Sequence, residues 1–548
     1  MWPIAFLAIA LWLAGCTAPG GDDGDARRDY LWLADQDDVP TLDPARGYDT
    51  ASWQFEEMLF NTLVDYDDAG NLVPELAERW DVDATQRVYT FAVRPGVRFT
   101  NGRALTAEDL RYSIERVLRP ATRSPGAEFF RGLVGAAACE TTPCRIAGIT
   151  TPDAQTIRFE LTDHDPLFLH KLAMPFAAAV PAEAVDRWGE DFARHPVGSG
   201  PFVLREWLPG QRVVLERNPD YFVPGVPRLP GVVRLVGVNS DLAWLKYEAG
   251  HLDVANIPPA EFPRVVRSPA YRTQLRQVTT MRTSYLGMNC AAPPFSDRRV
   301  RQAMNYAVNK AKLLRLINDR GVVAHGVLPP NMPGYDPDLR GYPFAPEDAR
   351  RLLASAGYGD GFTTTLWVRS DEMALRLAQS VQQDLAEVGV AVRIKAIAWG
   401  PFLEAVRTPD LVPFFSLGWE ADFPDPSNFL DVLLHSRAIG TNNNTNYRSA
   451  EVDTLLDTAA RAMDDHVRVA ALRRAEALVV GDAPWVFLYH PVSYAIVSTR
   501  VRDFVLHPLR PPRLERVWLA GEGDPPAPAD ASAAPQARSG PARPALAS

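Results

Sequence analysis

Residues 89–110 contain the stretch that decides the fold. They read Tyr89-Thr-Phe-Ala-Val-Arg-Pro-Gly-Val-Arg-Phe99, then an Asn-Gly turn, then Leu105-Thr-Ala-Glu-Asp-Leu110. From Val88 to Val93 every second residue is apolar, which predicts a strand with one buried face. Thr106 to Asp109 has the form of a capping box and precedes apolar residues at helical spacing, so a helix is expected to start there.

The same two signals recur along the rest of the chain. Thr156 to Leu161 and Val390 to Lys395 alternate in the manner of half-buried strands. Strands and helices interleave throughout, and no repeat of fixed period indicates a solenoid or a propeller. The sequence therefore predicts a mixed α/β fold.

Three helices carry their own start or stop signals. Ser296 is expected to cap one helix, and Pro346 occupies the first position of another, which should end at Gly357. A longer helix is predicted from about Glu372 to Val388, ending at Gly389 just before the Val390 strand. This last pair is a helix–strand unit typical of α/β proteins.

The amino-acid composition limits the classes of protein to which the chain can belong. The 548 residues are 47% hydrophobic and 23% charged, which is typical of a globular chain too long for one core, so two or three domains are expected. The formal net charge is −10, and no basic stripe appears that would neutralise phosphates. Nucleic acid is therefore not expected as a partner.

The N-terminus has the features of an export signal. Ile4 to Leu13 is apolar but too short to span a bilayer, and it leads into Leu13-Ala14-Gly15-Cys16, which resembles a bacterial lipobox. That resemblance implies a signal peptide over residues 1–15 and lipidation of Cys16. Met1-Trp2-Pro3 carries no Lys or Arg, which departs from the usual pattern, and a buried N-terminal element is the alternative.

The remaining cysteines divide into a pair and a single residue. Cys139 and Cys144 are close in sequence, and an oxidising compartment favours a disulfide between them. Cys290 has apolar neighbours and is interpreted as a buried free thiol, with a reactive role as the alternative.

Motifs for catalysis are missing from the sequence. It contains no Gly-x-Ser-x-Gly, no His-Glu-x-x-His and no phosphate-binding Gly-x-x-x-x-Gly-Lys, and its nine histidines lack metal-ligand spacing. We therefore expect a protein that is not an enzyme and that has no cofactor and no metal site.

Seven segments, in order along the chain, resemble the oligopeptide- and dipeptide-binding group of ABC transporter solute-binding proteins, often called family 5. The ordered set covers the chain from about residue 30 to residue 519. The segments are Thr41-Leu-Asp-Pro44, Leu72-Val-Pro-Glu-Leu-Ala-Glu-Arg-Trp80, the block over residues 89–110, Gly198-Ser-Gly-Pro-Phe202, Arg217-Asn-Pro-Asp-Tyr221, Phe295-Ser-Asp-Arg-Arg-Val-Arg-Gln-Ala-Met304 and Gly418-Trp-Glu-Ala-Asp-Phe-Pro-Asp-Pro426.

The resemblance implies a bilobal clamp of the periplasmic-binding-protein type II, with an additional inserted domain. The expected division is a signal peptide (1–15), a lipidated tether (16–29), a split lobe I (30–59, 196–280 and 489–519), an inserted domain II (60–195), a lobe III (281–488) and a disordered tail (520–548). In such a clamp the ligand is enclosed between the lobes.

The resemblance also places a buried anion at Asp422, where it would meet the α-amino group of a peptide. Asp422 follows Pro413 to Leu417, which reads as a buried strand, and open α/β sheets bind ligands beyond strand ends. A peptide ammonium taken out of water needs such a partner. A solvated or turn-forming acid is the alternative interpretation.

Five further residues are candidates for contact with the ligand. The resemblance puts Trp419 and Trp399 near ligand side chains, with core packing as the alternative for both. Asp38 and Val39 match a strand edge that pairs with ligand backbone. Arg407 is a candidate partner for a peptide carboxylate, or else a surface charge.

These observations together predict an extracytoplasmic, membrane-tethered lipoprotein, monomeric and held in the periplasm or on the outer face of the cell membrane by its lipid. It would capture short peptides and deliver them to the permease and ATPase of an ABC importer. The alternatives are another solute of the same family, such as a nickel chelate, and a peptide-sensing lipoprotein without its own permease.

Overall fold

The computed structural model describes residues 29–68, 70–140, 144–408 and 411–521. The predicted signal peptide, the lipidation site Cys16 and nearly all of the predicted tether and tail lie outside these ranges. Within them, no helix is long and apolar enough to cross a membrane.

Strands and helices alternate along the described chain, as the sequence predicts. The strands are β1 Leu31–Ala34, β2 Val64–Tyr66, β3 Leu72–Pro74, β4 Ala77–Val82, β5 Val88–Val93, β6 Ile149–Asp153, β7 Thr156–Glu160, β8 Phe202–Leu208, β9 Arg212–Arg217, β10 Gly231–Leu235, β11 Val254–Asn256, β12 Leu275–Thr279, β13 Arg282–Met288, β14 Gly321–Val323, β15 Phe362–Arg369, β16 Val390–Ile397, β17 Phe414–Glu420, β18 Trp485–Val497, β19 Val501–Arg502 and β20 Trp518–Leu519. The α-helices are α1 Thr50–Leu59, α2 Ala107–Leu118, α3 Ala127–Phe130, α4 Phe168–Leu172, α5 Ala182–Trp188, α6 Ser240–Glu248, α7 Phe262–Arg267, α8 Arg298–Ala307, α9 Lys310–Leu316, α10 Pro346–Ser355, α11 Glu372–Ala386, α12 Trp399–Arg407, α13 Ser427–Leu434, α14 Ala450–Arg461 and α15 Asp465–Asp482.

The block over residues 89–110 builds a small antiparallel sheet of order β4-β5-β7-β6 and the helix that covers it. The predicted strand is confirmed as β5, whose residues Tyr89, Phe91 and Val93 are buried. The predicted capping box is also confirmed, because Thr106 and Asp109 bond reciprocally at the start of α2. The apolar faces of β5 and α2 pack into one hydrophobic core.

A second sheet has the order β1-β10-β9-β8, and we call it the N-terminal sheet. β1 runs parallel to β10, while the other pairs are antiparallel. Its core includes Leu31, Val232 and Leu215, each 0% exposed, together with residues of α1. A strand from the start of the chain is thus fixed among strands that follow residue 200.

The third and largest sheet has the order β11-β18-β13-β17-β15-β16, and β12 and β14 also pair with β18. The 13-residue strand β18 belongs to two layers of the molecule. Its first half pairs with β13, and its second half pairs with β11 and β12. A single strand therefore connects the part of the chain before residue 280 with the part after it.

The predicted helix signals are confirmed except at one cap. Pro346 is the first residue of α10, and Gly357 after it has a φ of +88°, which favours glycine. α11 leads through Gly389 into β16. The prediction for Ser296 is wrong by one residue, because Asp297 has the extended backbone of a cap and its carboxylate accepts from the Arg299 N–H.

Two pairs of predicted domain limits meet in space. Leu59 lies against Gly200, whose N–H donates to the Leu59 carbonyl at 3.0 Å. A side chain at Gly200 would collide with the backbone of Met58 and Leu59, so only glycine fits there. The Thr280 N–H likewise donates to the Pro491 carbonyl at 3.0 Å. The domain limits themselves stay a prediction.

Candidate ligand-binding site

The site begins at the edge of β17. This strand pairs with β13 from Phe414 to Glu420, but with β15 only through Phe414 and Phe415. In the described part of the chain, residues 416–420 therefore have an open edge toward β15. The prediction that β17 stops near Leu417 is wrong, because cross-strand pairing with β13 carries the strand on to Glu420. Trp419 is thus a strand residue.

A groove of about 390 Å³ opens at this edge, between β15, β17 and α11. We call it the β15–β17 groove. Its lining is mixed: Leu286, Leu366, Leu377, Val381 and Leu488 are apolar, and Ser284 and Ser416 are polar. A volume of this order is typical of pockets for small ligands.

The mouth of the β15–β17 groove is polar and aromatic. Arg282, Arg369, Asp371, Glu420 and Trp399 line it. Trp399 is 47% exposed, and the Arg369 guanidinium lies 5.6 Å from the centre of its ring. The structure thus places Trp399 at a cavity rather than in the core, as expected of a residue that contacts a ligand side chain.

Asp422 follows β17 by two residues and is held by side chains from distant parts of the sequence. The Tyr48 hydroxyl donates to Asp422 Oδ1 at 3.2 Å, and the Asn428 amide donates to Asp422 Oδ2 at 3.0 Å. Asn428 Oδ1 accepts from the backbone N–H of Asp422 at 3.2 Å and from the Trp419 indole at 2.9 Å. Asn428 therefore fixes both Asp422 and Trp419.

The Asp422 carboxylate has no cationic partner among the described residues. Burial raises its pKa above the ordinary value for aspartate, and the hydrogen bonds from Asn428 and Tyr48 offset only part of that increase. Burial and the neighbouring Asp422 likewise raise the pKa of Tyr48, so its hydroxyl keeps its proton and stays a donor. The site is a desolvated anion with donors that hold it in place.

Tyr48 brings a wall of aromatic rings to Asp422. Its ring lies 5.7 Å from Trp53, 6.2 Å from Phe129 and 5.4 Å from Phe176. Phe423, next to Asp422, packs into the core of the small sheet, which also contains Phe176. The loop that carries Asp422 follows a strand of the large sheet and packs against the core of the small sheet.

The other predicted contact residues lie elsewhere. The Asp38 carboxylate accepts from the N–H groups of Val39 at 2.8 Å and Gly210 at 2.7 Å, and the Val39 side chain is buried in the core of the N-terminal sheet. Arg407 is exposed at the end of α12 opposite to Trp399. None of the three lines the groove, and their roles in binding stay predictions.

The cysteines occupy separate environments. The Sγ atoms of Cys139 and Cys144 are bonded to each other, and both side chains are buried. Cys290 is free and half-buried, and desolvation raises the pKa of its thiol to about 11. A thiol with such a pKa is unreactive near neutral pH.

Sequence reasoning missed Tyr48, Asn428 and Arg369. Tyr48 is 374 residues from Asp422 in the sequence, whereas Asn428 is only 6 residues from it. Asn428 could have been found from the sequence, because it is a polar residue near the start of a helix that follows the Asp422 motif. Nothing in the sequence near Tyr48 or Arg369 connects them to the site. Within the described ranges, no group of His, Cys, Asp and Glu could hold a metal ion.

Comparison with known proteins identifies the family of the chain. The model of the bacterial extracellular solute-binding proteins, family 5 (middle), matches residues 71–441. The chain is 29% identical to the heme-binding protein A of Haemophilus influenzae over 471 residues, covering 82% of this chain and 85% of that protein. It is 29% identical to the dipeptide-binding protein of Escherichia coli over 486 residues, covering 84% and 89%.

A solved structure extends the likeness to the fold. The ABC transporter-associated periplasmic binding protein DppA from Helicobacter pylori, in complex with the peptide STSA, superimposes with a TM-score of 0.75. The two chains are 28% identical, and the match covers 90% of this chain and 99% of that one.

Fold and site together define a bilobal binding protein of the periplasmic type II class with an inserted domain, so the predicted fold class is confirmed. The chain belongs to the bacterial extracellular solute-binding proteins of family 5. Proteins of this family are binding proteins that serve transport, and the chain is not an enzyme.

Proposed function

We propose that this protein captures short peptides between its lobes and delivers them to an ABC importer. The ligand's α-amino group binds Asp422, and its extended backbone pairs with the open edge of β17 at residues 416–420. As a lipoprotein anchored through Cys16, the monomer works on the extracytoplasmic side of the membrane.

One observation carries the proposal: Asp422 is a desolvated carboxylate that has no cationic partner in the part of the chain that the structure describes. A buried charge that nothing neutralises is costly, and proteins retain one where a ligand supplies the opposite charge. Its position just beyond an open strand edge favours a ligand that offers both an ammonium and a peptide backbone. The names of the dipeptide-binding relative and of the peptide complex support the same class of ligand.

Contacts across the molecule support a clamp that closes on its ligand. Besides the Tyr48–Asp422 hydrogen bond, the Gln86 amide donates to the Met463 carbonyl at 3.1 Å. His164 Nε2 lies 3.2 Å from the Ala462 carbonyl oxygen. These polar contacts and the packing of Phe423 join the two sides within the described ranges, and a ligand that touches both sides adds to them and favours the closed form. The loaded, closed protein is then what the permease receives.

Native mass spectrometry after mild purification tests the class of ligand. We expect co-purified peptides, released on denaturation, on the wild-type protein and on the Asp338→Asn variant, whose altered carboxylate is 91% exposed. Asp422→Asn should lose them. Bound haem or a nickel complex, with peptides absent, would overturn the proposal in favour of another family solute.

A further inference from the structure

We propose that the β15–β17 groove selects peptides that carry a large apolar side chain at a position after the first residue. This inference rests on the proposed function and deepens it, since it names the kind of peptide that the site prefers.

The depth and lining of the groove favour an apolar side chain. Leu366, Val381 and Leu488 line it and also belong to the hydrophobic core between the large sheet and α11. The groove thus leads from the strand edge toward a core in which these three residues are 0%, 1% and 4% exposed. An apolar side chain placed there leaves water for a surface like a protein interior.

The charges at the mouth balance, so they attract neither a basic nor an acidic side chain. Arg369 is paired with Asp371 at 2.6 Å, and Arg282 lies directly across the strand pair from Glu420. A charged ligand side chain would meet cations and anions together at the mouth, and deeper in the groove it would lose its hydration among the leucine side chains. The groove therefore discriminates against Lys, Arg, Asp and Glu at this position.

The position of the groove along the ligand follows from the direction of β17. Gly418 and Glu420 line the groove, and they precede Asp422 by four and two residues. An extended ligand advances about 3.3 Å per residue. If its amino group is at Asp422, the side chain that reaches the groove therefore belongs to a residue after the first. The first side chain lies instead near Tyr48 and its aromatic neighbours.

Calorimetric titration of the full protein with tripeptides tests the inference. Ala-Leu-Ala or Ala-Ala-Leu should bind about 10- to 100-fold more tightly than Ala-Ala-Ala, as expected for burial of one large aliphatic side chain. Leu-Ala-Ala should gain little, and Ala-Lys-Ala and Ala-Glu-Ala should gain nothing. Ala374→Leu, which narrows the groove, should remove the preference for leucine.

Ala386→Leu is the matched control, since it adds the same side chain at the exposed end of the same helix and should keep the preference. Thermal melts establish that both variants fold. Equal affinity for all tripeptides, a preference confined to the first residue, or a preference retained in Ala374→Leu would overturn the inference and leave peptide binding intact. Wild-type protein that binds no tripeptide at all would overturn the proposed function as well.

Discussion

Two aspartates three residues apart, the half-buried Asp422 and the buried Asp425, have opposite surroundings. Asp425 is 5% exposed and forms an ion pair with Arg468 at 2.6 Å. Burial alone would raise its pKa, but the Arg468 guanidinium and hydrogen bonds from Ser427 outweigh that effect and hold the pKa below the ordinary value. Asp422 has donors but no cation, and burial raises its pKa.

Under the proposed function, the difference separates an acid that stabilises the fold, Asp425, from one that binds a ligand, Asp422. The charge of Asp425 is already neutralised inside the protein, so any further cation would compete with Arg468. The charge of Asp422 is oriented by neutral groups, and it retains the capacity to bind an ammonium ion. Variants of the two residues should therefore fail in different ways.

The largest expected effect is on folding, in Asp425→Asn. Arg468 would stay buried without its counter-charge, so the free energy of unfolding should fall by about 3 to 5 kcal/mol. Urea denaturation measures this change in the free energy of unfolding. Asp422→Asn is the natural control, because it removes a desolvated charge and should leave this free energy within about 1 kcal/mol of the wild type. Equal losses in the two variants would refute the distinction.

A smaller effect is expected in Asn428→Ala. This change removes the amide that binds both Asp422 and Trp419, so peptide affinity should fall by about 2 kcal/mol, or roughly 30-fold. Calorimetric titration provides the number. Asn442→Ala, in a half-exposed polar loop, should bind peptide like the wild type. Unchanged affinity in Asn428→Ala would mean that the orientation of Asp422 does not matter for binding.

Tyr48→Phe should weaken peptide binding by only about 1 kcal/mol, since it removes one hydrogen bond to a charged group at a partly exposed position. The residue is 44% exposed, which reduces the value of the bond. Titration of this variant beside Tyr358→Phe, which alters a half-buried tyrosine between α10 and β15, isolates the effect of the Tyr48 hydroxyl. Tighter binding by Tyr48→Phe would show that the hydroxyl competes with the ligand amine.

The pH dependence of stability should have opposite signs for the two acids. The raised pKa of Asp422 means that its contribution to stability is complete below its unfolded pKa of about 3.9 and is lost as pH rises through the folded value. The lowered pKa of Asp425 gives a contribution that is present above that unfolded value and is lost as pH falls. Melting temperatures of the two Asn variants and the wild type between pH 3 and 7 provide the comparison. If both acids changed the stability in the same direction with pH, the predicted difference between them would be wrong.

Local signals in the sequence predicted much of the fold. A few neighbouring residues were enough to predict three features: the strand β5 from its alternation, the start of α2 from the capping box at Thr106, and the end of α10 from the glycine after it. The cap of α8 shows the limit of such signals, because Ser296 and Asp297 are both good capping residues and only the backbone conformation decides between them.

The site could be predicted only where its residues are close in sequence. Asp422 and Trp419 lie in one motif, whereas Tyr48 reaches them through a fold that brings residues 374 positions apart together. The same dependence on tertiary packing explains why Asp38 caps a turn at Gly210 instead of facing the groove. A short motif therefore predicts which carboxylate is a candidate for ligand binding, but it does not predict which distant side chains form hydrogen bonds with that carboxylate.

The most direct test of the account compares a free and an N-acetylated form of one tripeptide, on the wild type and on Asp422→Asn. Acetylation removes the ammonium, so in the wild type it should cost about 3 to 5 kcal/mol of binding, and in the variant it should cost almost nothing further. Equal losses on acetylation in both proteins would show that the amino group binds elsewhere and that Asp422 is not its partner.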